Sequence, residues 1–186
     1  NFKCYFGKRN LDNLYGFYLI FRSPSCLPTK PELEKEAQRG AIITTEIEQL
    51  IKMAPCKVIG ITGSDGKTTT TSLIYSILKE AGYNTYLGGN IGIPLSNFVR
   101  DIKPNSYLVL EISDHQLCDM YDFKTNVSVL TNITPTHLDF HKSYEVYQMT
   151  KKKIFNNHTS DDLAVINKDD EVSIKITDDI KSTKVY

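Results

Sequence analysis

The residues best suited to chemistry are Gly63, Ser64, Asp65, Gly66, Lys67, Thr68 and Thr69, within the run Gly60-Ile-Thr-Gly-Ser-Asp-Gly-Lys-Thr-Thr-Thr-Thr71. An apolar segment, 57–62, leads in, and a segment of helical character, 69–81, leads out. A strand, a glycine-rich turn and a helix start, in that order, make a phosphate cradle, because the glycines let consecutive N–H groups point at one anion. Lys67 adds a point charge for the terminal phosphates, and the Thr68 hydroxyl can ligate the magnesium ion that travels with ATP. The spacing is shorter than G-x-x-x-x-G-K-[ST], which needs glycine where Ile61 stands. The competing reading is a glycine-rich turn that merely opens a helix; the flanking strand and helix favour the nucleotide site.

Other polar residues fall at the ends of apolar runs. Glu111 closes Tyr107-Leu-Val-Leu110. A carboxylate there, beside a phosphate loop, can hold magnesium, which takes one or two carboxylates together with phosphate oxygens. Otherwise it is a satisfied acid at a strand end. His137 follows another apolar run and stands four residues before His141. That spacing invites zinc, but a zinc hydrolase helix needs Glu directly after the first histidine, and here it is Leu138. A hydrogen-bonding core histidine is the commoner role. Lys151, Lys152 and Lys153 read as the solvated side of a helix.

These residues need elements to position them. Strands are predicted at 16–21, 41–45, 57–62, 84–87, 106–112, 127–131 and 163–167. Helices are predicted at 32–39, 46–53, 67–81, about 94–100 and 144–155. Pro31 is placed to open the first helix and Gly40 to stop it, and Pro55 to end the second. In the third, Leu73, Ile74, Ile77, Leu78 and Ala81 are expected to share one face. Strands alternating with helices predict an α/β fold with a mostly parallel sheet covered by helices on both faces. Ligands of such sheets sit at the carboxyl ends of the strands, where the residues above lie. Residues 1–50 read as the tail of one unit plus a linker, and 51–186 as part of the next.

The 186 residues carry 22 basic and 22 acidic side chains, so no electrostatic footprint for nucleic acid or an anionic membrane is present. No apolar run is long enough to span a bilayer. The four cysteines, Cys4, Cys26, Cys56 and Cys118, are irregularly spaced and are expected to be unpaired thiols of a reducing cytoplasm. The chain starts at Asn1 rather than Met, so its natural start is expected to lie elsewhere.

Several stretches together resemble the Mur ligases, ATP-dependent enzymes that build the peptide of bacterial peptidoglycan. They are Ile61-Thr-Gly-Ser-Asp-Gly-Lys-Thr-Thr69, Gly88-Gly-Asn-Ile-Gly-Ile-Pro94, Leu108-Val-Leu-Glu-Ile-Ser113, Asn132-Ile-Thr-Pro-Thr-His-Leu-Asp139 and Tyr147-Gln-Met-Thr-Lys-Lys-Lys-Ile-Phe155. The chain is most similar to the members that join UDP-N-acetylmuramoyl-L-alanine to D-glutamate through an acyl phosphate. The resemblance implies that 1–50 ends a UDP-binding domain, that 51–186 begins the central ATPase domain, and that a C-terminal amino-acid-binding domain is absent.

It also implies roles. Lys67 and Thr68 would bind ATP phosphates and Mg2+, with Glu111 on the same ion. His137 and Lys151, the latter carbamylated, would hold a second Mg2+. Asn90, Ser113 and Gln116 would face the UDP-sugar peptide. A carbamate needs a neutral amine first, and lysine ordinarily titrates near 10.4, so burial or nearby positive charge must help, Lys152 and Lys153 slightly. A cytoplasmic monomer without nucleic-acid or membrane partners is expected. The alternatives are a sister ligase for another amino acid, folylpolyglutamate synthetase included, or a non-catalytic nucleotide-binding fragment. Three features depart from the family. Asp114 and His115 stand where Ser and Phe are usual, Thr136 stands where Asp is usual before His137, and the domain set is expected to be incomplete.

Overall fold

The computed structural model describes residues 3–7 and 9–186. Its core is a six-stranded, wholly parallel sheet built from β3 (Lys57–Thr62), β4 (Thr85–Gly89), β5 (Tyr107–Glu111), β6 (Val127–Leu130), β7 (Leu163–Ile166) and β8 (Thr183–Val185), in the spatial order β4-β5-β3-β6-β7-β8. Parallel neighbours need crossover connections, and the helices that supply them bury both faces of the sheet. Successive side chains alternate between those faces. Val58, Leu108, Leu110, Leu130, Ala164 and Ile166 pack toward α2 (Glu46–Met53), α6 (Tyr144–Lys152) and α7 (Glu171–Ile176). Ile59, Ile61, Val109 and Val129 pack toward α3 (Lys67–Glu80) through Ile74, Tyr75 and Leu78. Ile61, Leu108 and Leu110 are wholly buried, and each contributes about 1.5–3 kcal/mol of burial free energy.

Register fixes the active edge. Ile61 of β3 and Gly89 of β4 both pair with Glu111 of β5, and Thr62 pairs with Leu130 of β6. The phosphate loop, Glu111 and the residues leaving β6 therefore emerge side by side at the carboxyl ends of the strands, as the fold class requires.

The N-terminal segment forms a small second layer. β1 (Leu19–Phe21) pairs in parallel with β2 (Ile42–Thr44), joined by α1 (Pro31–Gln38). Pro31 occupies the first turn of α1, where its missing N–H costs nothing, and Gly40 takes φ 97° just past the end. Arg22, buried after β1, ties this layer to the central sheet. It forms an ion pair with Asp119, and its guanidinium donates to the carbonyl of His115 at 2.6 Å.

The structure corrects four expectations. The first strand is shorter than 16–21 and is not buried: Ile20 alone of its residues is covered, because the two-stranded sheet presents its other side to solvent. On α3, Ile74 and Leu78 face the sheet with Thr71 and Tyr75, whereas Leu73 and Ile77 are exposed. The packed face thus follows the i, i+3, i+4, i+7 row from Thr71. The helix placed at 94–100 is two 3-10 turns, Leu95–Asn97 and Val99–Asp101. The lysine run is not one solvated face: Lys151 is wholly buried, and the half-buried Lys153 holds its ammonium 4.3 Å from the Tyr121 ring centre and donates to the Cys118 carbonyl at 2.6 Å. The short helices α4 (Asp114–Leu117) and α5 (Leu138–His141), α7 and β8 add to the predicted set. All four cysteines are free thiols. Among the described residues, no helix is long and apolar enough to cross a membrane.

Candidate active site

The loop between β3 and α3 turns on two glycines. Gly63 has φ 150°, and a side chain there would meet the Thr131 hydroxyl at 1.9 Å; Gly66, with φ 76°, takes the left-handed conformation that starts α3. The exit of β6 braces the loop. Ser64 N–H donates to the Asn132 carbonyl at 2.9 Å, Asp65 N–H to Asn132 Oδ1 at 2.9 Å, and the Thr131 hydroxyl to the Asp65 carbonyl at 2.7 Å. Lys67 folds back over the mouth, donating to the carbonyls of Gly63 at 2.9 Å and Ser64 at 2.7 Å. Its charge thus already lies across the loop that would receive phosphate. Thr69, two residues on, is exposed in the first turn of α3.

Glu111 is buried beside the loop and held at both oxygens. The Thr68 hydroxyl donates to Oε2 at 2.7 Å, and the Asn90 amide donates to Oε1 at 2.9 Å. Thr68 and Glu111 are therefore in direct contact, near enough for both oxygens to reach one magnesium ion. Asn90, expected on the sugar-substrate side, donates to this carboxylate and so helps to orient it. Gly89 allows the approach, since a side chain there would stand 2.1 Å from the Glu111 carbonyl oxygen.

Ser113 and Gln116 form a capping box on α4. The Gln116 N–H donates to the Ser113 hydroxyl at 3.3 Å, and Gln116 Oε1 accepts from the Ser113 N–H at 2.9 Å. Gln116 also borders a cleft of about 410 Å3 shared with Phe21, Arg22, Ser23 and Glu46, at the join between the two layers.

The cap aims Asp114 inward, where it becomes the hub that sequence reasoning did not identify. Asp114 is buried and accepts from His141 Nε2 at 2.7 Å and from the Lys151 ammonium at 3.2 Å, with His115 Nδ1 at 3.1 Å. Burial alone would raise its pKa; the His141 hydrogen bond and the charge of Lys151 outweigh it and hold the carboxyl well below the usual range. The sequence signal was the residue itself, an acid after Glu111-Ile-Ser113. Its direction depends on a cap visible only in three dimensions.

Lys151, wholly buried, reaches across to β3 and the loop, donating to the Gly63 carbonyl at 2.8 Å and approaching the Thr62 hydroxyl at 3.4 Å. Burial pushes its pKa down to about 8; Asp114 opposes that shift and Lys67 reinforces it. The repulsion thus comes from Lys67 rather than from Lys152 or Lys153. His137 is exposed, holds φ 53° at the start of α5, and meets the His115 ring edge to face at 4.9 Å. It does not pair with His141, which is turned to Asp114. Thr136 donates to the Tyr147 hydroxyl at 3.0 Å, and Tyr147 meets Ser64 at 2.8 Å, joining the His137 loop to the phosphate loop.

A family model described as the Mur ligase middle domain matches residues 61–186. The chain belongs to the Mur ligase family. Among curated proteins it is 48% identical over 167 residues to a UDP-N-acetylmuramoylalanine--D-glutamate ligase of Clostridium botulinum (strain Loch Maree / Type A3), covering 90% of this chain and 36% of that protein. It is 46% identical over 171 residues to the enzyme of the same name from Clostridium kluyveri (strain ATCC 8527), covering 92% and 37%. This Mur ligase chain thus spans about a third of the length of those relatives. Among solved structures, MurF ligase from Thermotoga maritima in complex with ADP superposes with a TM-score of 0.56 at 25% identity, covering 82% of this chain and 43% of that one. The α/β fold predicted from the sequence is the fold of this family's central domain.

Proposed function

We propose that this chain supplies the ATP-phosphate and metal half of a ligase that joins UDP-N-acetylmuramoyl-L-alanine to D-glutamate. The observation that carries the reading is the contact of Thr68 with Glu111 at 2.7 Å, directly beside a phosphate loop closed by Lys67. The 46–48% identity to D-glutamate ligases supports the choice of substrates.

A carboxylate is a poor electrophile, so the terminal phosphoryl of ATP is first transferred to it, and the amine of D-glutamate then displaces phosphate from the acyl phosphate. The loop N–H groups and Lys67 hold the phosphate chain and stabilise charge that spreads during transfer. Lys67 exchanges its bonds to the Gly63 and Ser64 carbonyls for phosphate oxygens. Thr68 and Glu111 would hold Mg2+, which neutralises phosphate charge when bound. Asn90 keeps Glu111 turned to that position.

Lys151 fits the chemistry of carbamylation. With its pKa at about 8, roughly one side chain in ten is the neutral amine at pH 7, against fewer than one in a thousand for a free lysine. The carbamate would supply an anionic metal ligand beside His137. Gln116 and the cleft along Arg22 and Ser23 are the side from which the UDP-sugar peptide would enter, with 1–50 as the end of the UDP-binding unit and 51–186 as part of the ATPase unit. We place the reaction in the cytoplasm.

The test is a substrate panel on the protein in its full natural form: ATP and Mg2+ with UDP-N-acetylmuramoyl-L-alanine and each of several amino acids, and separately with a folate. Amide formation with D-glutamate alone is expected. Product with another amino acid, or with the folate, would transfer the assignment to a sister ligase. For Lys151, 13C-bicarbonate should give a carbamate resonance that is absent in Lys151→Arg; no resonance in an active enzyme would reject the modification.

A further inference from the structure

A second donor set, separate from Thr68 and Glu111, does not need a modified lysine. One ligand atom from each of Asp114, His115 and His137 can be chosen so that all three lie within 4.8 Å of one another. An ion bound at about 2.0–2.2 Å needs such atoms about 3–4 Å apart, so side-chain shifts of about 1–2 Å close the set. The carboxylate is held from behind by His141 and Lys151, which is how outer groups orient a metal ligand. The front is open, because His137 is exposed and leaves room for water or a phosphate oxygen. His115 is fixed by packing on Phe140, ring centres 4.0 Å apart, and by the Arg22 bond to its carbonyl.

We propose that Asp114, His115 and His137 bind a divalent transition-metal ion as a two-histidine, one-carboxylate site, independently of carbamylation at Lys151. Asp114 provides the anionic donor that a carbamate would otherwise provide. His115 adds an imidazole where the family pattern has phenylalanine. Imidazole donors favour Mn2+, Co2+ and Zn2+ over Mg2+, and affinity rises along that series. Lys151 joins the held side of Asp114 to the Gly63 carbonyl, at the loop between β3 and α3. The proposal rests on the ligase reading for the role of the ion, not for its binding.

The experiment is an Mn2+ titration of the full natural protein, followed by electron paramagnetic resonance, in carbon-dioxide-depleted buffer without nucleotide. One Mn2+ is expected to bind, with electron-spin-echo modulation from imidazole nitrogen, and Zn2+ should displace it. His115→Phe keeps the packing on Phe140 and removes one donor. His137→Gly tolerates the positive φ and removes the other. Each should weaken Mn2+ binding by about tenfold or more, while Thr68→Val should leave the nitrogen modulation in place. Wild-type affinity in both histidine variants, or bound Mn2+ without nitrogen modulation, would overturn the site. Binding that appears only after bicarbonate is added would assign the anionic donor to Lys151 instead. No ATP or amino acid is present, so failure of the ligase reading would leave this result unchanged.

Discussion

Asp114 and Lys151 bind each other inside the protein, next to the loop between β3 and α3, and each sets the other's chemistry. Removing one charge from a buried pair costs about 3–5 kcal/mol. Asp114→Asn should therefore destabilise by that amount near pH 7 in denaturant titrations. The acid limb gives the sign. The pKa of Asp114 is lower folded than unfolded, so the group's stabilisation is present above its unfolded value of about 3.9 and is lost as pH falls below it. The gap between wild type and Asp114→Asn should narrow below about pH 4; a constant gap would mean that Asp114 is not ionised in the fold. At Glu111, Gln substitution removes the charge and keeps the shape. We expect a loss of roughly 10²-fold or more in kcat/KM for the ligation, with little change in thermal stability, measured by steady-state kinetics and calorimetry.

At the scale of elements, the phosphate loop depends on backbone conformations that only glycine reaches cheaply. Gly63→Ala would place a methyl group 1.9 Å from the Thr131 hydroxyl at φ 150°. Strain of about 1–3 kcal/mol is expected, read as a lower unfolding midpoint together with weaker ATP binding by calorimetry. A shift in neither would mean that the loop relaxes. By contrast, Leu110→Ala, in the middle of β5, should cost about 2–5 kcal/mol while the ATP affinity of the protein that remains folded stays near wild type. The strands β3, β5 and β6 were legible in the sequence because strands buried on both faces read as continuous apolar runs. So was the glycine turn from β3 into α3, because glycine spacing and a following helix run are a local signal. The capping turns α4 and α5 were not, since four-residue helices show no periodicity. With them went the inward aim of Asp114 and the meeting of His115 with His137. The edge strand β8 and the exposure of Leu73 and Ile77 were missed for the same reason: neighbours set them, not local pattern.

At the scale of the whole molecule, a parallel sheet gathers four chain segments at one edge. The loop after β3, Glu111 at the end of β5, the turn after β6 and Lys151 from α6 arrive from positions up to 88 residues apart in sequence, the separation of Gly63 and Lys151. The small β1-β2 layer joins this edge through Arg22, which contacts both Asp119 and the His115 carbonyl. Cutting that link with Arg22→Met should loosen the N-terminal layer, seen as faster amide exchange in 19–44, while exchange in β3 and β5 stays slow; uniform protection throughout would show that the tie is dispensable. The chain spans about a third of its relatives' length, and the central claim concerns what this part does within the full natural protein. The most direct measurement is ATP-dependent phosphate release and amide formation with UDP-N-acetylmuramoyl-L-alanine and D-glutamate, comparing wild type with Lys67→Ala. The account predicts that both signals vanish together in Lys67→Ala while the protein stays folded by circular dichroism; turnover near the wild-type rate in that variant would contradict it.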